Sequence, residues 1–257
     1  MKFLVTNDDG VYSPGIRFLV TILNKFGKVI VVAPDSERSG FSQSITTKKP
    51  LLISKILIND LSNVEWYKVN GTPADCVKIS MHTIFSDDKP DYVLSGINIG
   101  ENLGQDYFYS GTIAAARESL NFRIPSIAIS VARDKNNQVY FDYISEDIEL
   151  LLKKIFSIHL DNDTLLNINY PSINKSISRF LHKVVPMETE TYRFTYDEYF
   201  DPKGRKTYWL RNLLNDMPEN EKADFTIAKQ DTVTISPIQR STPTHNNLKS
   251  FEDYFNY

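Results

Sequence analysis

The chain is short of features that define several large protein classes. It has one cysteine, Cys76, so an intrachain disulfide is excluded. Its formal net charge is only −3, and this argues against a surface that binds nucleic acid. No apolar run approaches the roughly 20 residues that a membrane-spanning helix needs, and the residues after Met1 do not resemble a signal peptide. We therefore expect a cytoplasmic protein that binds neither nucleic acid nor membranes.

Three familiar functional motifs are missing as well. No G-x-G-x-x-G sequence follows the first predicted strand, where a dinucleotide-binding fold needs it. The phosphate loop G-x-x-x-x-G-K-[ST] is absent, and the four histidines do not form an H-E-x-x-H zinc motif. Cys76 falls within a predicted helix, which favours a packed thiol over a nucleophile.

The first two thirds of the sequence alternate between strand and helix patterns. Short apolar runs predict buried parallel strands, and apolar residues at helical spacing separate them. The predicted strands are 2–6, 28–34, 91–96, 125–131 and 164–171. Four helices are predicted. The first begins at Pro14, the second and third span 72–85 and 110–120, and the fourth is the stretch EDIELLLKKIFS. This order predicts an α/β protein with a Rossmann-like three-layer core and a mostly parallel sheet.

Two segments depart from this alternation. Residues 44–70 are rich in β-branched and aromatic residues, which predicts an antiparallel insertion or hairpin. After residue 171 the alternation stops, and the stretch DFTIAKQDTVTISPI is interpreted as two strands or a hairpin. We therefore divide the chain into an α/β core, 1–171, which carries the site, and a β-rich extension for oligomer contacts, 172–257.

Polar residues follow several of the predicted parallel strands. Asp8 and Asp9 come directly after the first strand, Ser39 lies after the second, and Asn98 follows the strand 91–96. Ligands of open α/β sheets bind at the carboxyl ends of strands, so these loops are expected to converge. Carboxylate, hydroxyl and amide oxygens are the ligands that Mg²⁺ and Mn²⁺ prefer. A cation between Asp8 and Asp9 would explain two adjacent acids, although an acidic turn explains them as well.

A second candidate site opens the helix 110–120. Ser110 is placed to cap it, and Gly111 and Thr112 would then present backbone N–H groups to an anion. Plain helix capping accounts for the same pattern. With Asn102 from the preceding loop, these residues are our candidates for binding a substrate phosphate.

Five stretches in a fixed order are more specific than any of these patterns alone. They are NDDG, APDSERSGFSQSIT, NGTPADCVKI, SGINIGENLGQDYFYSGTIAAARES and IPSIAIS. Together they resemble the SurE family, the survival-protein nucleotidases. The resemblance is strong over residues 1–135, continues in strand and helix order to 171, and is looser beyond.

The resemblance implies a metal-dependent phosphatase for nucleoside monophosphates, chiefly a 5′-nucleotidase, with 3′-nucleotidase and exopolyphosphatase activity in some members. It implies one divalent cation held by Asp8, Asp9, Ser39 and Asn98. It also implies a homodimer or homotetramer assembled through the C-terminal β extension.

The mechanism that we expect is attack on phosphorus by water that the cation activates. Asp8, Asp9 and Asn98 would be the catalytic residues, and an aspartyl-phosphate intermediate is the rival route. The alternative function is a regulatory module that binds nucleotides without turnover, since phosphate binding alone needs only a helix N-terminus.

Overall fold

The computed structural model describes residues 1–58, 61, 63–172, 180–190, 194–212 and 220–240. The strands are β1 Lys2–Thr6, β2 Lys28–Pro34, β3 Ile53–Ile56, β4 Glu65–Val69, β5 Tyr92–Ile99, β6 Ser126–Val131, β7 Thr164–Tyr170, β8 Leu181–Val184, β9 Phe194–Phe200, β10 Lys206–Asn212 and β11 Thr232–Gln239. The α-helices are α1 Pro14–Leu23, α2 Pro73–Thr83, α3 Gly111–Leu120, α4 Ser145–Ser157 and α5 Asp224–Ala228. Short 3₁₀ helices span Gly104–Phe108 and Phe141–Ile144.

The central sheet has the strand order β3-β4-β2-β1-β5-β6-β7-β11-β8. Six neighbouring strands, from β4 to β7, run parallel, and β3 and β11 are antiparallel to their neighbours β4 and β7. Chain order reverses at β1, which lies between β2 and β5. The predicted Rossmann-like sheet is therefore confirmed, and its topological switch point lies between β1 and β5.

Helices cover both faces of this sheet, as the three-layer prediction requires. Successive residues of β1 point to opposite faces, so Phe3 packs in one apolar cluster and Leu4 in another. Helices α1 and α4 contribute to the cluster of Phe3, whereas α2 and α3 contribute to that of Leu4. Because every β1 residue from Phe3 to Thr6 is buried, its end provides a rigid base for the loop that follows.

The predicted helix starts are confirmed at their caps. Ser13 accepts a hydrogen bond from the Ile16 N–H group at the start of α1. Thr72 and Asp75 form a reciprocal capping box at the start of α2.

The segment 44–70 supplies an antiparallel strand pair, β3 and β4, as expected. The pair is not separate from the core, however, since β4 also runs parallel to β2 and extends the main sheet.

The interpretation of DFTIAKQDTVTISPI as two strands or a hairpin is wrong. Asp224–Ala228 forms the helix α5, and only Thr232–Gln239 forms a strand. That strand, β11, pairs with β7 in the main sheet, and β8 pairs with β11. The division at residue 171 stays a prediction; two strands from beyond it, β8 and β11, belong to the central sheet.

The strands β9 and β10 form a separate antiparallel hairpin, which agrees with the β-rich C-terminal extension predicted from the sequence. Its large exposed apolar side chains are Phe194, Tyr196, Tyr199, Phe200, Tyr208, Trp209 and Leu210. By the strand register, Tyr199 and Trp209 lie on one face of the hairpin and the other five on the opposite face, and apolar side chains grouped in solvent are typical of an interaction surface.

Candidate metal and phosphate site

The loop after β1 is shaped by the side chain of Asn7. Its Nδ2 atom donates to the Gly10 carbonyl at 3.0 Å and to Ser13 Oγ at 2.7 Å. Its Oδ1 atom accepts from the Gly10 N–H group at 3.2 Å, and Gly10 has a φ of +100°, which favours glycine. This tight turn fixes the backbone on either side of Asp8 and Asp9.

Asp8 is held by the N-terminus of α3. The hydroxyl of Thr112 donates to Asp8 Oδ1, and the Thr112 backbone N–H group also donates to this carboxylate. Burial raises the pKa of Asp8, and the two bonds from Thr112 act in the opposite direction. The anion at this helix start is therefore the Asp8 side chain itself.

Gly111 packs directly against Asp8. A Cβ atom at position 111 would lie 2.7 Å from Asp8 Cβ and 3.0 Å from Asp8 Oδ2. Glycine is thus needed here for close approach of the helix start to the carboxylate. Neither Gly111 nor Thr112 lines the open cleft described below.

Asp9 has a different environment from its neighbour. Its Oδ2 atom is buried and has no hydrogen-bond partner. Burial, together with the charges of Asp8 and Glu37, raises the pKa of Asp9 from 3.8 to about 6. An unpaired buried carboxylate oxygen is costly, and a bound cation would remove that cost.

Ser39 reaches the site through a loop that is anchored at both ends. The Arg38 N–H group donates to the Asp8 carbonyl at 2.7 Å, and Ser42 Oγ donates to the Phe108 carbonyl at 2.6 Å. The hydroxyl of Ser39 itself donates to Glu37 Oε1 at 2.8 Å.

Asn98 lies within β5 and not in the loop that the sequence suggested. The pairing of β5 with β6 shifts register between Ser95 and Asn98, beside a cis peptide at Gly96–Ile97. A Cβ atom at Gly96 would lie 2.3 Å from the Ile129 carbonyl, so this crossing requires glycine. The Asn98 Nδ2 atom donates to the Gly100 carbonyl at 2.7 Å, which leaves Oδ1 as the atom available to a cation.

An open cleft of about 340 Å³ brings most of the predicted site residues together. Its lining includes Asp8, Asp9, Ser39, Asn98, Asn102 and Ser110. It therefore unites all four predicted metal ligands with two of the four predicted phosphate contacts. The cleft lies at the switch point between β1 and β5, where ligands of open α/β sheets bind.

Several residues of this cleft were missed by the sequence reasoning, including Glu37, Glu101 and Arg133. Glu37 lies inside the stretch APDSERSGFSQSIT, so its position was a usable signal. Arg133 follows the end of β6, and the rule that ligands bind at strand ends could have found it. It adds a cation to a cleft that is otherwise rich in acids.

The donor set fits a hard divalent cation. Residues that carry two carboxylates, one hydroxyl and one amide line the same cleft, and oxygen ligands of these kinds suit Mg²⁺ or Mn²⁺. The unpaired buried Oδ2 atom of Asp9 is the observation that favours a cation over a plain acidic turn.

The described part of the chain contains no helix that is both long and apolar enough to cross a membrane.

Comparison with known proteins gives a consistent result. The family model described as survival protein SurE matches residues 3–193. A protein of Alkaliphilus metalliredigens named 5′-nucleotidase SurE is 38% identical over 254 residues, covering 99% of this chain and 96% of the relative. One of Aquifex aeolicus with the same name is 36% identical and covers 97% and 96%. The crystal structure of a SurE protein from Aquifex aeolicus superposes with a TM-score of 0.83 at 34% identity, covering 99% of each chain.

Proposed function

The chain belongs to the survival protein SurE family, and from that premise we propose that it is a metal-dependent 5′-nucleotidase. It would hydrolyse the phosphomonoester of nucleoside monophosphates. Relatives at 38% and 37% identity over nearly the whole chain carry the name 5′-nucleotidase SurE. Hydrolysis of 3′-nucleotides and of polyphosphate belongs to the same proposal, because the cleft residues address phosphate more than the rest of the substrate.

One observation carries the proposal: adjacent carboxylates share an open cleft with neutral oxygen donors at the switch point of the sheet. Asp8, Asp9, Ser39 and Asn98 would hold one Mg²⁺ or Mn²⁺ ion. When bound, that ion would neutralise the acids, bind phosphoryl oxygens and acidify a water molecule.

The protein groups have separable tasks in this reaction. Asp8 is fixed by Thr112, so its position is set before substrate binds. Asp9 keeps a carboxylate oxygen, Oδ2, with no partner in the protein, so this side chain would bind the cation and is also the candidate to accept a proton from the attacking water.

The phosphoryl group would be oriented by cleft residues that donate hydrogen bonds. Asn102 and Ser110 line the cleft, and Arg133 adds a positive charge that would stabilise the charge developing on phosphoryl oxygens. Gly111 and Thr112 act indirectly in this proposal, because both contact Asp8.

Attack by water is favoured over an aspartyl-phosphate route. The familiar aspartyl-phosphatase signature places acids two apart, whereas Asp8 and Asp9 are adjacent. Rapid quenching during turnover, followed by analysis of the protein for bound phosphate, tests this choice: labelled protein would support the covalent route.

The alternative function is nucleotide binding without turnover. Phosphate release from a nucleoside monophosphate, measured with and without chelator, separates the two. Release that stops with chelator and returns with Mg²⁺ or Mn²⁺ supports the enzyme. Tight binding with no release would support the regulatory module.

The hairpin of β9 and β10 supports a proposal about assembly. Its exposed aromatic side chains, such as Trp209 at 69% exposure, would be covered if the chain formed a homodimer or homotetramer through this region. We also keep the expectation from the sequence that the protein is cytoplasmic.

A further inference from the structure

A second cavity, also of about 340 Å³, opens beside the metal and phosphate cleft. The two share Glu101 and Arg133 in their linings, so the cavities are neighbours with a common border. We propose that this second cavity, the nucleoside pocket, holds the base and sugar of the substrate while its phosphate lies in the cleft. The inference rests on the proposed nucleotidase function. It gives a binding site to the base and sugar of the substrate, for which the cleft has no assigned contacts.

The walls of the nucleoside pocket suit a flat, weakly polar ring. Its apolar lining residues are Leu103, Ala132, Tyr170, Pro171, Phe225 and Ala228. Phe225 is half-buried on α5, and Lys229 Nζ lies 4.3 Å from the centre of its ring. Nucleic-acid bases stack on aromatic side chains with little regard to base identity, so Phe225 is the expected stacking partner.

The border between the two cavities has the chemistry that a ribose needs. In a nucleoside monophosphate the sugar lies between phosphate and base, and the border residues Glu101 and Arg133 lie between cleft and pocket. An ionised carboxylate is an acceptor only, so Glu101 can take hydrogen bonds from sugar hydroxyls. Arg133, a donor only, would remain on the phosphate side of the sugar.

The charges of the nucleoside pocket argue for an uncharged occupant. Its lining holds two acids, Glu101 and Asp231, and two bases, Arg133 and Lys229. They balance, so the pocket offers no net attraction to a second phosphate. The acidic cleft next to it, in contrast, is suited to a cation and the phosphoryl group that the cation binds.

A buried amide connects the two cavities rigidly. Asn169 lines the nucleoside pocket, and its Oδ1 atom accepts from the Asn102 N–H group at 2.8 Å. Its Nδ2 atom donates to the Asn102 carbonyl at 3.1 Å. Since Asn102 lines the cleft, the spacing between the two cavities is fixed by the sheet, as a substrate of constant length requires.

The test compares a nucleotide with a phosphomonoester that has no base. In Phe225→Ala, KM for AMP should rise at least about tenfold, or roughly 1.4 kcal/mol, while kcat and KM for glycerol 2-phosphate stay within twofold of wild type. Phe225→Tyr keeps an aromatic face and should recover most of the affinity for AMP. Tyr143→Ala, which removes an exposed aromatic ring outside both cavities, is the matched control and should match wild type.

Glu101→Gln tests the contact with the sugar. It should weaken binding of adenosine at least about threefold and leave 2′,3′-dideoxyadenosine unaffected, because only the former has the ring hydroxyls. If Glu101→Gln changes the affinity for both nucleosides by the same factor, Glu101 does not contact the sugar hydroxyls. If Phe225→Ala changes KM for AMP and KM for glycerol 2-phosphate by the same factor, the proposal of a nucleoside pocket is overturned.

Calorimetric titration with adenosine separates this inference from the proposed function, because it needs no turnover. Adenosine that binds wild type and loses affinity in Phe225→Ala supports the pocket even in a chain that releases no phosphate. If the wild type hydrolyses AMP but adenosine neither binds nor competes, the nucleoside pocket is refuted and the nucleotidase function stands.

Discussion

Replacing Asp9 by asparagine should make the metal-free protein more stable and the enzyme inactive. In the absence of a cation, Asp9 is a partly buried carboxylate beside Asp8, and its Oδ2 atom has no hydrogen-bond partner. Asparagine keeps the shape, removes the charge and offers an N–H donor to its neighbour. The same change removes a ligand that the proposed reaction needs.

The expected gain follows from the pKa. Burial, with repulsion from Asp8 and Glu37, raises the pKa of Asp9 from 3.8 to about 6. At about 1.36 kcal/mol for each tenfold change in proton affinity, the ionised form costs about 3 kcal/mol at neutral pH. Asp9 is partly exposed, so solvent screening reduces the expected gain in the free energy of unfolding to about 1–2 kcal/mol.

Because the pKa of Asp9 is raised in the folded protein, the stability gained by Asp9→Asn depends on pH. A folded-state pKa above the unfolded value means that the folded protein binds the proton more tightly, so the penalty is present above pH 6 and disappears as the pH falls through 6 toward 3.8. The advantage of Asp9→Asn over wild type should therefore be largest at pH 7.5 and should be nearly lost at pH 4.

Urea unfolding in the presence of EDTA, at both pH values, measures this difference. Asp87→Asn, which changes an exposed acid outside the cleft, is the matched control and should show no advantage. Added Mg²⁺ or Mn²⁺ should raise the melting temperature of wild type more than that of Asp9→Asn, because a ligand stabilises only the state that binds it. A metal-free Asp9→Asn that is less stable than wild type at pH 7.5, or one that is fully active, would refute the reasoning.

Three further predictions follow from the cleft and the hairpin. Gly111→Ala should lower kcat/KM at least about tenfold and destabilise the fold by about 1–3 kcal/mol, because its Cβ atom would displace Asp8; wild-type kinetics would reduce position 111 to an ordinary helix start. Asn98→Ala should raise the Mn²⁺ concentration for half-maximal activity, and superimposable titrations would exclude Asn98 as a ligand. Trp209→Lys should reduce the mass measured by light scattering at micromolar concentration, whereas a monomeric wild type would contradict assembly through the hairpin.

The parallel core and the main features of the cleft were predictable from sequence because both depend on local patterns. Buried runs such as residues 28–34 have few interpretations, and helix caps such as Thr72 mark where α-helices begin. Acids placed at the end of a buried strand must then lie at the edge of the sheet. The proximity of Asp8 and Asp9 to Ser39 and Asn98 follows from that topology.

What the sequence did not predict depends on contacts between distant segments. The alternating apolar residues of DFTIA suggested a strand, but five residues carry too little periodicity to exclude the helix α5. That β11 would pair with β7 across more than 60 residues of chain had no local signal. Asn98 was expected in a loop because Gly96 suggested that the strand ended there, whereas β5 continues past a register shift.

The start of α3 has the anion-binding features that the sequence predicted, but the anion that lies there is a side chain of the protein. Ser110, Gly111 and Thr112 have the features of an anion site, and the structure does place an anion there, namely the Asp8 carboxylate. The two adjacent acids are consequently not equivalent. Asp8 accepts hydrogen bonds from the hydroxyl and the backbone N–H group of Thr112 at the positive end of the helix, and these offset part of the cost of its burial. Asp9 Oδ2 has no such partner, so in the proposed site a cation would compensate its charge. Under the proposed metal site, adjacent carboxylates are tolerable at this strand end because Thr112 supplies hydrogen bonds to Asp8 and a bound cation would compensate the remaining charge.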